Sequence, residues 1–243
     1  MSMPHASWAA YYDAAYELTF GEFYHELTQA TIAKVRQTIS TPAGIVDFGA
    51  GTGRLSIPLA SEGYDILAVE PCREMVDQLE AKARRRGLKI RTVCQRMQDF
   101  RSDSQFDMAL CVFTVLLYLL DNHALVKAIQ AAGSALRTGG LLLIDVPDAQ
   151  VFRSYEISND QISRRVRVEK KDGDIYQYEE TTEIRLGGKH LRYDDRFLIR
   201  YWEPSQILGA LTSSGFLCRQ DLSQEFAGAG ARYLLMEKIR DEA

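Results

Sequence analysis

The sequence predicts an α/β fold: a doubly wound sheet of seven strands, a helical segment before it, and an antiparallel β insertion after strand five. Three observations carry this. Residues 45–60 run from an apolar stub (Ile45, Val46, Phe48) through a loop with glycine at every second position, Gly49, Gly51 and Gly53. Leu55, Ile57, Leu59 and Ala60 then mark the inner side of a helix. Strand-like and helix-like segments go on alternating as far as residue 147. Beyond residue 163 the apolar period changes to strict alternation, with many β-branched and aromatic residues.

Composition bounds the answer. A chain of 243 residues fits one α/β domain with an insertion. Net charge is −4 and the isoelectric point about 5.7, so no global field draws in nucleic acid. The four cysteines (Cys72, Cys94, Cys111, Cys218) show no C-x-x-C spacing and read as free thiols in a reducing compartment. No secretory signal is visible. The longest apolar run, Met108 to Leu120, has 13 residues, too few to span a bilayer. A cytoplasmic protein is expected.

Residues 8–39 read as helices, with Trp8, Tyr11, Tyr12, Tyr16, Phe20, Phe23, Tyr24 and Leu27 at helical spacing. This aromatic stripe is either core packing or part of a lid. Next comes the glycine loop, whose spacing selects its ligand. A dinucleotide fingerprint places its third glycine three residues after the second. Here the gap is two, and Asp47 precedes the first glycine by two. The result, D-x-G-x-G-x-G over Asp47–Gly53, resembles the first motif of class I S-adenosylmethionine-dependent methyltransferases, whose fold is Rossmann-like. The resemblance implies that Asp47, Gly49, Ala50, Gly51 and Gly53 support the methionine part of that cofactor. It also implies a role for the Tyr11-Tyr12-Asp13 stretch, similar to a lid element of small-molecule methyltransferases, with Tyr12 beside the sulfonium.

Asp65 to Glu70 is a second buried strand ending in an acid, about twenty residues past the first glycine. By resemblance Glu70 accepts the ribose hydroxyls, with Pro71 following it and Met75 offering an apolar contact to adenine. The helix from Cys72 to Gly87 ends in Arg84-Arg85-Arg86, which suits a helix C-terminus. Lys89 to Val93 is strand three. Related enzymes often carry G-D-M-R-D-F after it, where this chain has Arg96-Met97-Gln98-Asp99-Phe100. The adenine contact then falls to Arg96, Met97, Gln98 or backbone groups.

Phe106 to Val112 is strand four. The following Val112-Phe113-Thr114-Val115-Leu116-Leu117-Tyr118 resembles small-molecule N-methyltransferases, among them glycine N-methyltransferase and the amino-sugar N,N-dimethyltransferases. The resemblance assigns Val112 and Phe113 to the cofactor ammonium group, and Thr114 and Tyr118 to the acceptor side. Tyr118 and Tyr12 are the catalytic candidates. The stretch holds no N-P-P-Y motif and no acid opening a magnesium site; no metal is expected. A helix from Asp121 to Arg137 leads through Thr138-Gly139-Gly140 into strand five, residues 141–147. The inserted strands are residues 163–170, 175–186 and 190–202, with turns at 172–174 and 187–188. They build a substrate pocket or a homodimer interface. Arg200 and Tyr201 are candidate pocket residues; Arg164, Arg165 and Arg167 read as a solvated face or an anion contact. A last helix over 204–214 and two strands, from Gly215 and from Ala231, close the chain.

The domain reading is therefore a helical lid over 1–40, a cofactor domain over 41–148 and 203–243, and an insertion over 149–202. The expected activity is methyl transfer from S-adenosylmethionine to a small-molecule acceptor by in-line displacement, leaving S-adenosylhomocysteine. The four histidines (His5, His25, His123, His190) share no metal-ligand spacing and reveal no general base. That absence favours an amine acceptor over a hydroxyl. An RNA-modifying methyltransferase and a non-catalytic cofactor-binding module are the alternatives; the acidic balance argues against the first and the intact glycines and Glu70 against the second.

Overall fold

The computed structural model describes residues 3–102 and 105–239. Residues 1–2 and 240–243, the outer ends of the predicted lid and cofactor domain, lie outside them. A 3-10 helix (Ala6–Tyr11) leads into α1 (Tyr12–Thr38), which kinks at Gly21 (φ 41°, ψ −114°). The main sheet then begins with β1 (Gly44–Phe48), and α2 (Ser56–Ser61) leads to β2 (Asp65–Val69). Next come α3 (Arg73–Arg85), β3 (Arg91–Val93), β4 (Phe106–Cys111), α4 (Asn122–Ala135) and β5 (Leu136–Pro147). The insertion contributes β6 (Tyr155–Ser158), β7 (Ile162–Asp172), β8 (Ile175–Leu186) and β9 (Lys189–Arg200). The chain closes with α5 (Pro204–Ser213), β10 (Phe216–Asp221) and β11 (Ala231–Lys238).

Seven strands pair in the order β10-β11-β5-β4-β1-β2-β3, and β11 alone runs against the others, antiparallel to both β10 and β5. The parallel strands are apolar on both faces because helices cover both. Alternate residues therefore feed two cores. Val46, Phe48, Val69, Ala109 and Ile144 pack on one side with residues of α4 and α5. Ile45, Ile66, Met108, Leu110 and Leu143 pack on the other with Ile32 and Val35 of α1. The strand order reverses between β1 and β4, the position at which open α/β sheets bind ligands beyond the strand ends.

Three elements differ from the sequence expectation. Strand three starts two residues late. Helix α4 stops at Ala135 rather than Arg137, because Leu136 already pairs with Phe106 and draws residues 136–140 into β5. The insertion gains β6, four residues long (Tyr155-Glu156-Ile157-Ser158) and too short for its alternation to stand out; it pairs with β7 to complete a four-stranded antiparallel sheet. Ile162 and Ile184 of that sheet pack against Trp8 and Ala15, so the N-terminal helical segment lies on it.

Candidate functional site

The glycine loop folds back on the end of β2, where Gly49 and Ala50 N–H groups both donate to the Val69 carbonyl (2.8 and 3.2 Å). Its glycines serve different ends. A Cβ on Gly49 would run into the Val115 side chain, and one on Gly53 would lie 2.9 Å from both Ile57 and Leu79. A Cβ on Gly51 would meet nothing nearer than the Gly49 carbonyl at 4.0 Å. Two glycines thus permit packing, and Gly51 leaves the loop open to a ligand. Asp47 is buried beneath this loop and accepts a hydrogen bond from Ser56 Oγ at 2.5 Å. Burial pushes its carboxyl up to about 7; the Glu70 charge adds to this and the Ser56 bond opposes it. Asp47 thus holds the start of α2.

Glu70 stands at the end of β2, 8% exposed. Its Oε2 accepts from Gly51 N (3.0 Å) and its Oε1 from Cys72 N (2.9 Å). Burial raises its pKa. Each oxygen still has a lone pair for a hydroxyl donor. Pro71 follows, and Met75 packs with Cys72 against Ala9 and Tyr12 of the N-terminal segment. The next candidate group divides: Arg96 is exposed, Gln98 is half-buried, and Met97 turns into the core with its sulfur 3.8 Å from Cys111 Sγ. Met97 thus presents its side chain to the core beside Cys111.

At the end of β4, Val112 is buried, and Phe113 and Thr114 are both left-handed (φ 66° and 69°). Two such residues in succession are strained and persist only where neighbours hold them. Thr114 N donates to Asp145 Oδ2 at 2.9 Å; burial pushes Asp145 up to about 7. The Arg54 guanidinium lies between the rings of Phe113 (3.7 Å) and Tyr24 (3.5 Å), and donates to the Tyr24 carbonyl and Thr28 Oγ1. It ties this turn to α1.

The N-terminal segment packs against the glycine loop, α3 and β9. Tyr12 stacks on Tyr16 (centroids 4.4 Å) and leans on Trp8. Asp13 accepts from Thr52 Oγ1 of the glycine loop and from Lys82 Nζ of α3. Tyr118 meets His5, its hydroxyl 2.9 Å from Nε2, and packs beside Phe197 of β9. The charge of Glu70 is felt at both His5 and Tyr118, so the end of β2, the turn after β4 and the N-terminal segment lie near one another.

Two candidates are placed elsewhere. Arg200 stacks on Trp202 (3.9 Å) and donates to the Leu120 carbonyl; the Tyr201 ring meets Phe152. The three arginines of β7 also separate. Arg165 is exposed and paired with Glu156, and Arg167 is exposed. Arg164 is 1% exposed, paired with Glu180 (2.9 Å) and set under the Tyr16 ring. Its place between Ile162 and Val166 in a period of two carried that signal. Sequence reasoning missed Arg54, Asp145, Asp195 and the part played by His5. Each acts through partners distant along the chain.

A model of the methyltransferase domain matches residues 45–140. The ubiquinone biosynthesis O-methyltransferase of Rickettsia conorii is 30% identical over 134 residues, 51% of this chain and 45% of that protein. The chain spans less than half the length of the curated relatives it matches. Among solved structures, an S-adenosylmethionine-dependent methyltransferase from Clostridium acetobutylicum superposes with a TM-score of 0.78 at 21% identity, covering 88% of this chain and 91% of that one. The S-adenosylmethionine-bound amino pentose methyltransferase CalS10 of Micromonospora echinaspora superposes with a TM-score of 0.74 at 19% identity, covering 93% and 96%. Residues 45–140 thus match a methyltransferase domain, and the chain as a whole has the fold of the S-adenosylmethionine-dependent methyltransferases on which it superposes.

Proposed function

We propose that the protein is an enzyme that transfers a methyl group from S-adenosylmethionine to a small-molecule acceptor, an amine before a hydroxyl. The observation that carries this is Glu70 beside Gly51. A buried carboxylate with lone pairs to spare adjoins a loop position where a Cβ would find open space. The pair fits a nucleoside with two ribose hydroxyls, and backbone groups near Val112 and Phe113 fit the amino-acid end. The bound cofactor supplies an electrophilic methyl on a sulfonium.

The protein's task is to align and to exclude water. Tyr12 covers the opening as part of a lid made from the N-terminal segment, and Asp13 joins that lid to the glycine loop and α3. Thr114 and Tyr118 face the acceptor, and the insertion over 149–202 caps it. Support for an amine comes from the fold's likeness to the sugar N-methyltransferase KedS8 of Streptoalloteichus, whose name states N-methylation. Support for a hydroxyl comes from the Rickettsia relative, whose name states O-methylation. The net charge of −4 supports a small molecule over RNA.

Titration calorimetry with S-adenosylmethionine, S-adenosylhomocysteine and NAD tests the cofactor. Binding of the first two, weakened by at least about tenfold in Glu70→Ala, is expected, that factor being about 1.4 kcal/mol. Equal binding by Glu70→Ala overturns the reading. A labelled methyl donor with a panel of amines and phenols then identifies the acceptor.

A further inference from the structure

His5 is set apart from the other histidines. His25, His123 and His190 are exposed, whereas only 12% of the His5 side chain is accessible. It lies among the rings of Trp8, Tyr12, Tyr118 and Phe197, at centroid distances of 5.2–6.2 Å. Its backbone is left-handed (φ 66°) and is held by its own N–H, which donates to Asp195 Oδ2 at 2.6 Å. The imidazole bridges two elements. Nε2 is 2.9 Å from the Tyr118 hydroxyl, and Nδ1 is 3.4 Å from Asp195 Oδ2. Nδ1 is buried and makes no hydrogen bond among the described residues, with Asp195 facing it at ion-pair distance.

Asp195 also accepts from Trp8 Nε1 and Arg196 N. Burial pushes this carboxyl up, but the His5 and Trp8 donors outweigh it and hold it below its ordinary value. An ionised carboxylate behind one imidazole nitrogen favours a proton on Nδ1 and leaves Nε2 as an acceptor. Tyr118 keeps 39% of its surface open at the end of β4, near Glu70.

We propose that His5, backed by Asp195, takes the acceptor's proton through the hydroxyl of Tyr118. The inference rests on the methyltransferase reading above. An alkylammonium or phenol acceptor passes its proton to the Tyr118 oxygen as the Tyr118 O–H proton moves to His5 Nε2. The N–H or O–H electron pair stays on the acceptor atom and forms the new bond to the methyl carbon. The pair of the broken C–S bond remains on sulfur. His5 ends as an imidazolium facing Asp195, and Tyr118 is again a neutral phenol. Tyr118 is the group that touches the acceptor; His5 and Asp195 act through it. The titratable groups facing His5 are Asp195 on β9, Tyr118 after β4, Tyr12 on α1 and Glu70 at the end of β2. The relay removes the sequence-based reason for preferring amines, since it serves both acceptor classes.

The test uses the full chain with S-adenosylhomocysteine. If calorimetry shows no binding, the methyltransferase reading itself falls; the relay is tested on its own by nitrogen NMR of the histidine rings. The neutral His5 ring is expected to carry its proton on Nδ1, to lose that tautomer preference in Asp195→Asn, and to change chemical shift in Tyr118→Phe. A His5 tautomer that ignores Asp195→Asn overturns the relay. Methyl transfer to whichever amine or phenol of the panel reacts adds a pH profile. The wild-type rate should rise through the His5 pKa measured by NMR. In His5→Gln, kcat should fall by about 100-fold near pH 7 and recover above the acceptor's own pKa, about 10 for alkylamines and phenols. S-adenosylhomocysteine affinity should change by less than about threefold, a small fraction of the tenfold step. A loss equal at every pH is what a packing role produces, and it overturns the proposal.

Discussion

Asp47 and Asp145 are buried carboxyls at the ends of β1 and β5, each pushed up to about 7 by burial. A group whose folded pKa lies above its unfolded value binds more protons when folded. Its ionisation then costs stability as pH rises between about 4 and 7. Asp47→Asn removes that cost while its amide oxygen can still accept from Ser56. Relative to the native chain, this variant should therefore gain stability as pH rises from 4.5 to 7, on the order of 1 kcal/mol or more. Urea unfolding at the two pH values measures it; a difference independent of pH would show that Asp47 ionises as freely folded as unfolded. The acid itself was legible in the D-x-G-x-G-x-G pattern. Its burial under the loop was not, because that depends on where Ser56 and Glu70 arrive.

Helix α1 is one element serving two sheets. Before Gly21 its aromatic residues lie on the insertion sheet, and after it Ile32 and Val35 join the core of the main sheet. The kink between them uses a positive φ, and a Cβ at Gly21 would have nothing within 4 Å, so a side chain there meets no clash and only backbone strain. Gly21→Ala should cost about 1–2 kcal/mol and weaken cofactor binding, as read by thermal unfolding and calorimetry together. Loss of stability with unchanged affinity would separate the kink from the site. Across the same junction, Glu180 neutralises the buried Arg164 and also accepts from Tyr178 and Thr182. Glu180→Ala leaves a buried cation and should cost about 3–5 kcal/mol in unfolding free energy. The double change Arg164→Met with Glu180→Leu should recover most of that loss, because neither charge remains. Period-two alternation located these strands, but pairing Arg164 with Glu180 requires the β7–β8 register.

At the scale of the molecule, the candidate site is assembled from the glycine loop, the ends of β2 and β4, the N-terminal segment and β9. A ligand that bridges these parts stabilises the folded state by mass action. S-adenosylhomocysteine at 100 times its Kd should add about 2.7 kcal/mol, a rise in Tm of roughly 5–10 °C for a chain of this size. Differential scanning fluorimetry of the native chain and Glu70→Ala, at the same ligand concentration, checks this. The shift should fall to about half or less in the variant.

The sequence by itself determined the class of sheet, its alternating order, the glycine loop and Glu70. Those are local facts: apolar period, glycine spacing and an acid closing a strand are readable within about twenty residues. Only the tertiary structure decided that Met97 turns inward, that Arg200 bonds the Leu120 carbonyl while Tyr201 meets Phe152, and that His5 meets Asp195. His5 and Asp195 are 190 residues apart. Their contact follows from laying the N-terminal segment on the insertion sheet, a docking of two faces that neither segment's own pattern specifies.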